Sequence, residues 1–211
     1  NYYPAATYSN GNTTIVTPSS AVYAPSTSTF GMSGGKWYAE FKTSTTMYDS
    51  LYGITDRNAT ANGQELGDGA NQWGYYQTSG SVRYNNGYAS PSPYGSSFDN
   101  TEVLGIALDL DNSKLYFAID GTWQNSGDPT SGATGTGALS ITAVESTLNG
   151  QYFFAVGGWA NAASTFHANF GNGYFATTAV SSANADDAGI GAFEYDVPAG
   201  YYCLCTKNIK A

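Results

Sequence analysis

The stretch LGIALDLDNSKLYFAIDGTWQ, Leu104–Gln124, decides the fold. Leu104, Ile106, Leu108 and Leu110 alternate with small or polar residues, which is the two-residue period of a strand. Asp111-Asn112-Ser113 supplies turn chemistry. The alternation resumes in Leu115, Phe117 and Ile119, and Asp120-Gly121 turns the chain again. Together these runs predict an antiparallel hairpin, Glu102–Leu110 against Lys114–Ile119.

Working outward, the same period recurs between turn residues. Upstream, strands are expected at 12–17, at 22–30 with a break at Pro25, and at 35–42, GKWYAEFK. In that last run Trp37, Ala39 and Phe41 share one face, while Lys36, Tyr38, Glu40 and Lys42 share the other. Further strands are expected at 50–55, 72–77, 81–85 and 87–90, the last two around the hairpin signal Asn86-Gly87. Downstream they fall at 152–156, 165–170 and 201–206. The segments 56–71, 127–137 and 176–191 read as loops. Only 183–188 has the composition for a single helical turn. Many short antiparallel strands predict an all-β sandwich or barrel. No linker-like shift or internal repeat interrupts the chain, so residues 1–211 are expected to form one domain.

Composition agrees. The 211 residues include 26 Gly and 18 Tyr, and only 11% are charged. Seven Lys and Arg face sixteen Asp and Glu, for a net charge of −9. Nucleic acid needs clustered cations to release its counterions, so it is excluded as a partner. Anionic membrane surfaces are disfavoured for the same reason, and no apolar run is long enough for a membrane-spanning helix. The Tyr, Ser, Gly and Asn excess is also the palette of adaptable binding loops. Cys203 and Cys205 are too close in sequence for good disulfide geometry and are expected to be two thiols.

Five segments, in order, resemble SPRY domains. They are GKWYAEFK, QWGYYQTSGSVRYNNG, the Leu104–Gln124 hairpin, ANFGNGYF, and NADDAGIGAFEYDVPAGYYCLCTKNI from Asn184 to Ile209. The chain is most similar in this reading to SPRY domains in structural proteins of tailed bacteriophages. The resemblance implies two packed antiparallel sheets of the concanavalin-like kind, ligand binding through loops, and no catalysis.

Asp109, Asp111, Asn112, Ser113 and Asp120 have partial calcium-loop spacing, but Lys114 stands where that loop needs Gly. A hairpin turn with Asp side chains bonded to the backbone is the better reading. Asn184, Asp186 and Asp187 read as a solvated loop. Glycoside hydrolysis needs two carboxylates facing one groove. Glu40 stands alone on its strand, and Glu194 with Asp196 is the best same-face pair, next to Pro198. His167, the only histidine, reads as a strand-surface residue without a triad. No catalytic residue, metal ligand or cofactor is therefore assigned. The remaining candidates are loop-proximal aromatics with polar neighbours: Tyr48, Arg57, Tyr84, Asn85, Tyr88, Tyr94 and Trp123.

The resemblance implies a non-enzymatic binding module on a phage virion surface, expected in a tail fibre or receptor-binding element. Its expected partners are other virion proteins and a host-surface glycan or protein. A homo-oligomer suits such a part, although no heptad pattern marks one. The alternatives are a capsid-decorating subunit that cements its neighbours, and a carbohydrate-active hydrolase on a concanavalin-like fold.

Overall fold

The computed structural model describes residues 6–18, 23, 25–44, 49–56, 64–84, 92–158 and 163–209. The described strands, in chain order, are β1 (Thr7–Ser9), β2 (Thr14–Val16), β3 (Ser26–Thr27), β4 (Lys36–Thr43), β5 (Ser50–Thr55), β6 (Gln72–Tyr76), β7 (Ser81–Tyr84) and β8 (Ser92–Pro93). They continue with β9 (Leu104–Asp109), β10 (Lys114–Ile119), β11 (Thr122–Trp123), β12 (Leu139–Ser140), β13 (Phe153–Gly158), β14 (Thr165–Asn169), β15 (Tyr174–Phe175), β16 (Thr178–Ala179) and β17 (Tyr202–Cys203). Helix is confined to three short 3-10 segments among the described residues. The 183–188 stretch holds a bridge at Asn184 and a turn instead of a helical turn.

A nine-stranded sheet runs β1-β2-β14-β4-β9-β10-β11, with β12 beside β10 and β17 beside β4. A six-stranded sheet runs β3-β13-β5-β6-β7-β8. The expected central hairpin is present, with Lys114 opposite Asp109 and Ile119 opposite Leu104. Its turn uses Asp109 as read: the carboxylate accepts from the Asn112 N–H and from Asn112 Nδ2, and it pairs with Lys36. Among the described ladders only β17 against β4 is parallel.

The sheets meet face to face through the predicted alternating residues. Trp37, Ala39, Phe41, Leu104, Ile106, Leu108, Leu115 and Phe117 from one pack with Tyr52, Ile54, Trp73, Tyr75, Phe154 and Val156 from the other. Ring pairs cross the gap, such as Tyr75 with Phe117 and Tyr52 with Phe166. Tyrosine contributes to this core alongside Phe, Leu and Ile, and its hydroxyls leave the apolar layer to find partners. Tyr75 donates to Ser96 O, Tyr94 to Gly137 O and Tyr152 to Thr142 O.

Each outer face is partly covered as well. On the nine-stranded sheet the C-terminal segment builds a second small core. Phe193, Tyr201 and Cys203 lie there against Tyr38, Ala107 and Tyr116. Polar pins hold it. Glu40, fully buried, accepts from the N–H groups of Glu194 and Tyr195, from Asn169 Nδ2 and from the Tyr38 hydroxyl. Asp186 accepts from the Ala188, Ile190 and Cys203 N–H groups and from Asn208 Nδ2. It is only 6% exposed, so within the expected solvated group Asp186 is instead an internal fastening, while Asp187 is exposed as expected. His167, expected on a strand surface, is also buried, because residues 174–195 rise beside its strand. Cys203 and Cys205 are free thiols.

On the six-stranded sheet, residues 64–70 form a strap that places Leu66 on Leu51 and Ala155. Glycine permits this approach: a Cβ at Gly74 would stand 2.6 Å from Leu66 O.

Two measurements check these assignments. Burial pushes the Glu40 carboxyl up from 4.5 to about 7, against the pull of its hydrogen-bond donors. The folded state therefore holds a proton that the unfolded chain releases. The Glu40 contribution to stability is full below about pH 4.5 and is lost as pH rises through 7, a fall of ~3 kcal/mol. Urea denaturation at pH 5 and pH 8 reads this fall, and Glu40→Gln is expected to remove it. An equal fall in that variant would contradict the assignment. Separately, Tyr94→Ala is expected to cost about 3–5 kcal/mol in the same assay, whereas Tyr84→Ala costs about 0.5 or less.

Candidate functional site

Strand register brings several chain segments to one end of the six-stranded sheet. Thr55, at the end of β5, pairs with Gln72, at the start of β6. Tyr84, at the end of β7, pairs with Trp73. Phe153, at the start of β13, pairs with Thr55. Loops leave the sandwich here, and two large apolar side chains stand in solvent: Tyr84, 40% exposed, and Leu148, 69% exposed.

The ground beneath them is fixed by polar bonds. Asp56 accepts from Asn71 Nδ2 at 2.9 Å and from the Leu148 N–H at 3.2 Å. Its carbonyl accepts from Asn149 Nδ2, and its own N–H donates to Asn71 O. One aspartate thus ties the β5 end, the β6 start and the loop carrying Leu148. On the outer face next to Tyr84, Arg83 lies over the Tyr76 ring, 3.9 Å from its centroid, and bonds to Glu65. Burial raises the Glu65 carboxyl above its usual range, while bonds from Tyr23 and Arg83 hold it back. Arg83 is therefore an internal ion pair that stiffens the strap. A rigid base presenting exposed aromatic and aliphatic groups is suited to capturing a partner with little ordering cost.

The seven expected residues fare unequally. Tyr84 is at this end and exposed. Tyr48, Arg57, Asn85 and Tyr88 lie outside the described residues, as does the Asn86-Gly87 turn. Tyr94 is a correction. It is 7% exposed, with its ring between Tyr75 and Phe117 and its hydroxyl bonded inward, so it serves the core. Trp123 is half-buried on the other sheet, edge-on to Tyr38 and Tyr116. The structure therefore does not bring Tyr84 and Trp123 together.

Sequence reasoning missed Asp56, Leu148 and Asn149. Leu148 left a signal, a lone large apolar residue in the polar run STLNG. Asp56 left none, since its partners are 15 and 92 residues away. The expected acid pair also changes meaning: Glu194 is occupied by the Ser181 N–H and hydroxyl.

Comparison with known proteins places the fold. No protein-family model matches the chain, and no curated protein matches its sequence. Solved structures do. The SPRY domain of human HERC1 superimposes with a TM-score of 0.56 at 12% identity, over 77% of this chain and 91% of that one. A human SPRY domain superimposes with a TM-score of 0.58 at 12% identity, over 78% of this chain and 94% of the other. The antiparallel sandwich described above, with almost no helix, is the SPRY fold.

Proposed function

We propose that this chain is a non-enzymatic binding module of a tailed-phage virion, acting as one domain on the particle surface. It recognises a host-surface glycan or protein, as part of a tail fibre or receptor-binding element. One observation carries the binding reading: Tyr84 and Leu148 are exposed together on a base that Asp56 and the Arg83–Glu65 pair hold rigid. Tyrosine is enriched among the residues that carry binding energy, and Leu148 adds apolar area beside it on a rigid scaffold. The phage assignment draws on the five ordered sequence segments. Weak single contacts would be multiplied by the many copies a particle carries.

The cementing alternative has its own support. Tyr174 of β15, 48% exposed, offers a contact for a neighbouring subunit. The hydrolase alternative has less, because Glu40 and Glu194 are both committed to internal donors.

Fluorescent protein applied to cells that the parent particle infects tests the choice. Saturable binding is expected, weakened about tenfold or more by Tyr84→Ala with Leu148→Ser. Binding to bare capsids with none to cells would favour cementing, and release of sugar from host polysaccharide would overturn the non-enzymatic reading.

A further inference from the structure

Cys203 and Cys205 stand where β17 ends, in the second small core on the nine-stranded sheet. On an extended strand, two residues of separation put the Cα atoms about 6.6 Å apart. That is close to the upper limit of about 6.8 Å for a disulfide. The chain does not stay extended here. The Cys205 N–H donates to Cys203 O at 2.9 Å, closing a three-residue turn around Leu204. The Asn208 and Ile209 N–H groups then donate to Cys205 O, which curls the chain further. The turn faces the thiols toward each other, and Cys203 Sγ lies 3.4 Å from Cys205 Sγ.

Neighbouring groups hold this geometry. Asp186 accepts from the Cys203 N–H at 2.9 Å and from Asn208 Nδ2 at 2.7 Å. Asn208 Nδ2 also donates to Cys203 O at 3.1 Å and to Cys203 Sγ at 3.2 Å. Leu204, between the two cysteines, is anchored in the main core.

The two thiols are not equivalent. Cys203 is 1% exposed, and burial, with the Asp186 carboxylate beside it, pushes its thiol up. Cys205 is half-buried, so it is the member of the pair that a reagent in solution reaches.

We propose that Cys203 and Cys205 form a reversible redox site, oxidised to an internal disulfide by small disulfides of the glutathione class. The Cys205 thiolate attacks one sulfur of the small disulfide, whose S–S bond breaks as one small thiolate leaves. Cys203 then gives up its proton, and its sulfur attacks Cys205 Sγ in the mixed disulfide. The Cys203–Cys205 bond forms and the second small thiolate leaves. The two protons lost by the cysteines end on the two released thiols, so two cysteines are oxidised and one small disulfide is reduced. Closure shortens the Sγ–Sγ separation from 3.4 Å to about 2.05 Å. A ring with one intervening residue is strained, which makes the bridge readily reduced instead of permanent. The site flanks β4 of the nine-stranded sheet and is independent of the recognition proposed at the Tyr84 end of the other sheet.

The test equilibrates the folded protein with mixtures of oxidised and reduced glutathione, quenches with acid and reads the mass. Loss of two hydrogens per chain is expected, with peptide mapping placing the link between Cys203 and Cys205 and dithiothreitol reversing it. The chain unfolded in urea is expected to need a glutathione mixture about tenfold more oxidising, because the turn that faces the thiols is gone. Cys203→Ser should stop at a glutathione adduct on Cys205, and Cys205→Ser should stay unmodified. Free thiols that persist in oxidised glutathione, a wild-type adduct on Cys205 that does not close, or equal behaviour of the folded and unfolded chains would overturn the site.

Discussion

A buried tyrosine hydroxyl must find a partner, and much of this structure follows from that requirement. Tyr38, Tyr52, Tyr75, Tyr116, Tyr152 and Tyr201 are among its largest fully buried side chains. Each contributes a large apolar ring, but an unpaired hydroxyl would cost about 1–3 kcal/mol. The solution recurs: the ring stays in the core and the hydroxyl reaches a carbonyl on a connecting segment. Tyr201 reaches Pro129 O, 72 residues away, as Tyr75 and Tyr152 reach Ser96 O and Thr142 O. Loops with few apolar residues are thereby fastened to the sheets they cross. In a chain with only 11% charged residues, tyrosine supplies both packing and attachment.

Buried carboxylates do the same for the C-terminal segment. Glu40 and Asp186 each gather four donors, drawn mainly from the backbone of residues 186–203. This gives the nine-stranded sheet a second small core on its outer face. It also shapes what is left exposed, since a depression lined by His167 remains only where that cover stops.

The sequence was most informative where the physics is local. Alternation and turn chemistry in Leu104–Gln124 place β9, β10 and the turn at Asp111-Asn112-Ser113 to within two residues. The inward set Trp37, Ala39 and Phe41 also follows from the two-residue period. Of the expected site residues, Tyr84 is legible in the same way, as an aromatic at a strand end. Tyr94 has the same appearance in sequence, between Pro93 and Gly95, yet it is buried. What separates the two is whether another segment arrives to cover them, and for Tyr94 that segment includes Gly137, 43 residues on.

By itself, then, the sequence determined the strand class and the inward faces, because period and turn residues are properties of neighbours. Tertiary structure alone decided that Glu40 would be a buried clamp, that Asp186 would fasten a loop, and that His167 would line a depression. Their roles depend on groups brought close by folding, with Glu40 and Glu194 separated by 154 residues along the chain. A carboxylate or imidazole carries no local mark of which distant backbone will reach it.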